Sequence, residues 1–307
     1  MLSRIAESLY WIGRYVERAE DTARILDVHF HLLVENQATD EADSYRALLH
    51  AMGVPTELET IDGPSVAALL THDQRFAGSI ASSLGAAWDN ARGAREAISS
   101  ELWECLNVTH GALGAWNRDI VAPHEFLRWV KERASIAAGI IDTTMSRDEG
   151  WRFLVLGRSV ERADMTVRLL SARYGERWGA AGWRVLLRCC SAHEAFLRRH
   201  HGTFDPLDAL AFLVSDDDFP RSVGYSLRAA EDCLSVIEQS SARGIARQGE
   251  ARRLLGRAAA DLSYTSIAEL AGDLDARLEH LEWVCAAAHD AITGRYFRAS
   301  APIEWSA

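Results

Sequence analysis

Gly13–Leu26 reads GRYVERAEDTARIL, and Gly157–Leu170 reads GRSVERADMTVRLL. Both follow G-R-x-V-E-R-A-x-x-T-x-R-x-L, at an offset of 157 − 13 = 144 residues. A second pair lies at almost the same spacing. FAGSIASSLGAAWD from Phe76 matches FPRSVGYSLRAAED from Phe219, an offset of 219 − 76 = 143, and LLTHD from Leu69 precedes the first as FLVSD from Phe212 precedes the second. Two separate matches at nearly one offset imply an ancestral duplication within a single domain over 1–307, with halves of about 1–145 and 146–307. The period is too long for a solenoid. The expected arrangement is two related helical units packed about a pseudo-twofold axis.

Working outward from this motif, the flanking sequence is helical. Leu2, Ile5, Leu9, Ile12, Val16, Ala19, Ala23 and Leu26 alternate steps of three and four, the seam of one long amphipathic helix. Phe153, Leu156, Val160, Ala163, Val167 and Leu170 repeat it, behind a capping-box pattern of Ser146 and Glu149. Asp205-Pro206 and Phe219-Pro220 each put proline near a first turn, and Val121-Ala122-Pro123 opens another apolar helix. No run alternates with the period of a strand, so the fold class is all-α, a helical bundle.

Composition narrows the function classes. The 307 residues carry a formal net charge of −11, which argues against nucleic acid or an anionic membrane as the main partner. Ten Trp and 48% hydrophobic residues supply a sizeable core, and only six Pro favour long helices. Five Cys form no framework spacing, which suits a reducing cytoplasm. The opening MLSRIAESLYWIGRYVERAED lacks the continuous apolar core of a signal peptide, and no stretch approaches the roughly 20 apolar residues of a membrane span. The expected location is cytoplasmic, and a homo-oligomer is left open.

The motif repeats polar residues as faithfully as apolar ones. Arg14, Glu17, Arg18, Thr22 and Arg24 correspond to Arg158, Glu161, Arg162, Thr166 and Arg168, whereas Tyr15, Glu20 and Asp21 become Ser159, Asp164 and Met165. Three readings compete: a solvated face of Arg–Glu pairs, an Arg/Glu network at a helix–helix contact, and a ligand or catalytic site. A solvated face should drift between copies, which favours the contact across the two halves. Gly13 and Gly157 point the same way, because a mid-helix glycine costs about 1 kcal/mol relative to alanine unless another backbone packs against it. As a site, Glu17 and Glu161 would be the acid/base pair, and Arg14, Arg18, Arg158 and Arg162 would hold a carboxylate or phosphate. Adjacent arginines oppose the raised pKa that such chemistry needs. Arg92, Arg95, Trp103 and Asn107 form a polar-aromatic strip in the first half only, a second place for substrate contacts. Arg221 and Ser222 stand at a helix start suited to an anion, though a capping role for Ser222 is the simpler account.

Other chemistries find no support. There is no Walker loop, no G-x-G-x-x-G, no G-x-S-x-G elbow, no Glu-x-x-His pairing for a di-iron bundle, and no cofactor is indicated. His193-Glu194 and His200-His201 read as surface or interface histidines, and no metal site is assigned.

The sequence resembles the bacterial alpha-E domain family. The resemblance is carried by SRIAESLYWIGRYVERAEDTAR at Ser3–Arg24, NARGAREAISSELWECLN at Asn90–Asn107, FLVLGRSVERAD at Phe153–Asp164 and DFPRSVGYSL at Asp218–Leu227. The family's namesake glutamate is matched by Glu17, with Glu161 as its repeat partner. The resemblance implies a setting beside, or fused to, circularly permuted ATP-grasp proteins, often with transglutaminase-like peptidases, and hence work on amide bonds of a peptide. Two functions follow as expectations. One is a non-catalytic partner that binds an ATP-grasp ligase or its peptide substrate. The other is an enzyme of the same pathway that uses the Glu/Arg site on an amide, carboxylate or phosphate.

Overall fold

The computed structural model describes residues 1–35, 41–54, 61–116, 123–172, 180–241 and 249–297. These residues form fourteen α-helices and no strand, so the chain is all-α. The first half contributes α1 (Ser3–Glu35), α2 (Glu41–Ala51), α3 (Gly63–Thr71), α4 (Ile80–Gly93), α5 (Ser100–Leu113) and α6 (Pro123–Thr144). The second contributes α7 (Glu149–Ser171), α8 (Ala180–Cys189), α9 (His193–Arg199), α10 (Pro206–Val214), α11 (Val223–Ser241), α12 (Glu250–Tyr264), α13 (Ile267–Gly272) and α14 (Leu274–Ile292).

Helix ends follow their caps. Asp62 and Asp205 accept backbone N–H bonds ahead of Pro64 and Pro206, and Ser79 and Ser99 cap α4 and α5. Two expectations shift. The cap of α7 is Asp148, which accepts from Trp151 N at 3.1 Å. The helix therefore starts at Glu149, and Ser146 with Glu149 forms no capping box. Pro220 lies in the turn ahead of α11, whose first turn is capped by Ser222. Of the Val121-Ala122-Pro123 opening, only Pro123 falls within the described residues, and there α6 begins.

The long helix α1 packs along α7, and the two form the centre of the molecule. Helices α4 and α6 cover the rest of α1, with α5 between them; α11 and α14 cover α7, joined by α12. The shorter helices cross over, α2 packing on α7 and α8 on α1. Because partners surround α1, its apolar seam and much of its polar face are both inside: Leu9, Ile12, Ala19 and Leu26 are fully buried, and so is His29. Burial lowers the His29 pKa to about 4 and keeps its ring neutral. His29 therefore belongs to the packed interior.

Candidate functional site

The site begins with two glycines. A Cβ added to Gly13 would stand 2.1 Å from Leu154 O, and one added to Gly157 would stand 2.0 Å from Tyr10 O. Only glycine lets the two backbones come so close. One turn further along each helix, the long polar side chains then reach across the contact.

Glu161 accepts from Arg14 Nε at 2.5 Å, from Arg18 Nε at 2.5 Å and from Arg18 Nη2 at 3.0 Å. Glu17 is held from the opposite side by Arg162, through Nε at 2.7 Å and Nη2 at 2.8 Å. Its second cation is Arg221, whose Nη1 lies 2.9 Å from Glu17 Oε1. Arg221 also reaches Glu20 at 2.8 Å and Asp21 at 2.6 Å. Along the helices, Arg24 pairs with Glu20, and Arg168 with Asp164 at 3.1 Å. Arg158 faces elsewhere, pairing with Asp142 of α6 at 3.5 Å.

Glu17 and Glu161 are 3% and 2% exposed, so the solvated-face reading fails. The pairs also join different helices, where a surface pattern would pair positions along one helix. Burial pushes both carboxyls up, but the arginines outweigh it. Arg162 and Arg221 hold Glu17 at about 2, and Arg14 and Arg18 hold Glu161 at about 2. Burial, the largest single influence on Arg14 and Arg221, lowers them, but their acidic partners together outweigh it, led by Glu161 for Arg14 and by Glu17 for Arg221, and both end well above the usual guanidinium value. A carboxylate fixed so far below neutrality is a poor general acid or base.

Asp21 behaves differently. Burial, opposed by Arg221 and reinforced by Glu17 and Glu20, lifts its carboxyl to about 7. Its Oδ2 is buried and accepts no hydrogen bond from the described residues. Sequence reasoning singled out neither Asp21 nor Glu20. The available signal was their spacing, with Asp21 one turn beyond Glu17 and Glu20 one turn before Arg24, together with the change from Asp21 to Met165.

The remaining sequence candidates separate into distinct places. Ser222 is fully buried and caps α11, donating to Asp216 O at 2.5 Å and accepting from Tyr225 N at 3.0 Å. Asn107 accepts from Trp88 Nε1 at 3.0 Å, Trp88 stacks on His110, and Arg92 lies 4.9 Å over the Trp88 ring. Arg95 lies 5.2 Å over Trp103. The strip thus makes two cation–aromatic contacts outside the α1–α7 network.

Beside the network, a cavity of about 10 Å³ touches Gly13, Glu17, Glu20 and Arg158, room for about one water. Larger hollows lie elsewhere. One of about 860 Å³ opens between α4 and α5, lined by Tyr15, His72, Arg75, Asp89 and His110 among others. One of about 300 Å³ lies between the α7–α8 region and the α13–α14 turn, lined by Leu170, Trp183 and Asp273 among others. Among the described residues no group of His, Cys, Asp and Glu has the arrangement of a metal site, and no helix is long and apolar enough to cross a membrane.

Comparison with known proteins agrees with the central motif. An uncharacterised protein of Mycobacterium bovis is 27% identical over 266 residues, covering 78% of this chain and 30% of that protein. Two uncharacterised proteins from strains of Mycobacterium tuberculosis are 27% and 26% identical over the same length and shares. The chain therefore spans under a third of the length of these relatives. No solved structure matches it. The model of the Alpha-E family, described as a predicted alpha-helical domain with a conserved ER motif, matches residues 1–297. Glu17-Arg18 and Glu161-Arg162 are Glu-Arg pairs of this kind, meeting across the α1–α7 contact, and the chain belongs to the Alpha-E family.

Proposed function

We propose that this chain is a non-catalytic partner in an ATP-grasp amide-bond-forming system and binds the ligase or its peptide substrate. The observation that carries this reading is the saturation of Glu17 and Glu161. Each is buried, ionised and held by two arginines, and the adjoining cavity takes about one water. Such a network locks α1 to α7; it leaves neither carboxylate free to move a proton. The rigid centre then displays the outer helices for contact. That the relatives carry much more chain than the matched segment suits a unit that works beside another domain. The ATP-grasp and transglutaminase-like partners, and a cytoplasmic location, rest on the family resemblance and the composition.

The same reading treats the fold as a duplication about a pseudo-twofold axis. In its support, the glycine contacts exchange at one offset, 157 − 13 = 144 and 154 − 10 = 144. The covering helices exchange too, α4 and α6 on α1 against α11 and α14 on α7. Matched stability losses for Gly13→Ala and Gly157→Ala would accord with this; a large loss at only one would contradict it.

The partner role is tested with the purified chain and the ATP-grasp ligase encoded beside it. The expected result is co-elution on size exclusion, no ATP turnover by the chain alone, and retained co-elution for Glu161→Gln. Robust ATP hydrolysis by the clean isolated chain overturns the proposal.

A further inference from the structure

The hollow of about 860 Å³ between α4 and α5 is within the size range of ligand sites. The matched segment of the second half fills the corresponding place. At the offset of 143, Gly85 of α4 corresponds to Arg228 of α11, and Ser82 to Tyr225. Arg228 reaches across to Ser263 Oγ of α12 at 3.2 Å and back to Asp217 at 2.5 Å. Arg252 of α12 returns to Glu231 at 2.6 Å, and Glu231 stands where α4 has Trp88. Long side chains thus bridge α11 and α12. Between α4 and α5 the space is left open: a Cβ on Gly85, Gly111 or Gly114, all on its wall, would meet nothing within 4 Å. A glycine inside a helix costs stability relative to alanine. At Gly13 and Gly157 the α1–α7 crossing accounts for that cost. At Gly85 and Gly111 no contact among the described residues does.

We infer that this hollow is a docking groove for an extended peptide segment, whose main chain lies against Gly85 and Gly111. Missing side chains let another backbone come close. Gln74, exposed on the wall, carries a carboxamide with both the donor and the acceptor that a peptide unit needs. Arg75 ahead of α4 and Asp89 in its third turn set opposite charges toward the two ends. From Ile80 to Asp89 the helix rises about 14 Å, the span of about four extended residues. Tyr15 of α1, half-buried, forms part of the wall, and Arg18 lies 5.5 Å over its ring. The groove thus abuts the arginine that holds Glu161. The second half has Ser159 in place of Tyr15, so this wall too is particular to the first half. The choice of a peptide as occupant rests on the partner reading above and names where it would bind.

Panning a displayed library of random heptapeptides on the purified full chain, then measuring the enriched peptides by fluorescence anisotropy, tests the groove. Gly85→Arg places there the side chain that α11 carries at the matched position. It should weaken the enriched peptides about tenfold or more by occupying their space. Its melting temperature should be no lower than that of the wild type, since a Cβ at Gly85 has room and the cost of a helical glycine is removed. Lost binding is then not lost folding. Ser82→Tyr, which copies Tyr225, is a second variant and should weaken binding likewise. Gly139→Arg, equally open but on α6 outside the groove, should bind as the wild type does. Enriched peptides that bind both groove variants as tightly as the wild type, or no enrichment on the wild type, overturn the groove. A concentration-dependent dimer that Gly85→Arg abolishes overturns it as well, because a second copy would then be the occupant. Peptide binding that depends on Gly85 in a chain that does not co-elute with the neighbouring ligase supports the groove and counts against the ligase contact alone.

Discussion

Replacing Gly13 with alanine adds one methyl group to α1, and the structure places that carbon 2.1 Å from Leu154 O and 2.9 Å from Arg158 N. Both are backbone atoms of α7, so no side chain can rotate away. Real Cβ contacts stay beyond 3.0 Å, so the helices must part by at least 3.0 − 2.1 = 0.9 Å at this point. Overpacking of this kind costs about 3 kcal/mol or somewhat more. Against it stands the gain of about 1 kcal/mol for replacing a mid-helix glycine. The net expectation is a loss of at least about 2 kcal/mol, increased if the short Arg14–Glu161 and Arg162–Glu17 bonds stretch with the helices. Gly85→Ala in α4 is the control, because a Cβ there meets nothing within 4 Å. It should stabilise by about 0.5–1 kcal/mol. Urea unfolding followed by helical circular dichroism measures all three variants, with Gly157→Ala expected to match Gly13→Ala. If Gly13→Ala is as stable as Gly85→Ala, the close α1–α7 crossing is wrong, and the buried network argued from it is wrong as well.

Two further outcomes follow from the network. Glu17→Ala or Glu161→Ala strands two largely buried arginines beside a buried site and should cost on the order of 3–5 kcal/mol, with each Gln variant costing less because the amide oxygen still accepts. Unchanged melting temperatures in all four variants would mean that these side chains are solvated. At acid pH, both carboxyls have folded values near 2 against an ordinary 4.5, so their contribution is present above pH 4.5 and is lost as pH falls through about 2. An acid titration of stability should therefore be shallower in Glu17→Gln and Glu161→Gln, and equal slopes would refute the assignment.

What the sequence determined by itself is local and periodic. The three–four spacing from Leu2 to Leu26 sets a long helix, since a period near 3.6 places those residues on one face. The glycines at 13 and 157 mark where two helices touch, because the local cost of a helical glycine needs a reason and close backbone approach is one. Pairing glutamate with arginine in each motif pointed to a network, and two carboxylates 144 positions apart in sequence are each held by arginine from the opposite helix across one contact. Tertiary structure decided the rest. Arg221 lies 200 residues from Asp21 in sequence, and no local spacing links the two. Arg14 pairs with Glu161, whereas the equivalent Arg158 turns to Asp142, because α6 offers that carboxylate at 3.5 Å. Arg92 and Arg95, which the sequence offered as a second place for substrate contacts, lie over the rings of Trp88 and Trp103, apart from the network. The polarity of α1 alone would leave Glu17, Glu20, Asp21 and His29 facing water; the helices packed around it bury all four. A helix's own sequence sets which residues share a face. What covers that face, and so whether a carboxylate there ends near 2 or near 7, depends on charges and apolar surface brought in from distant parts of the chain.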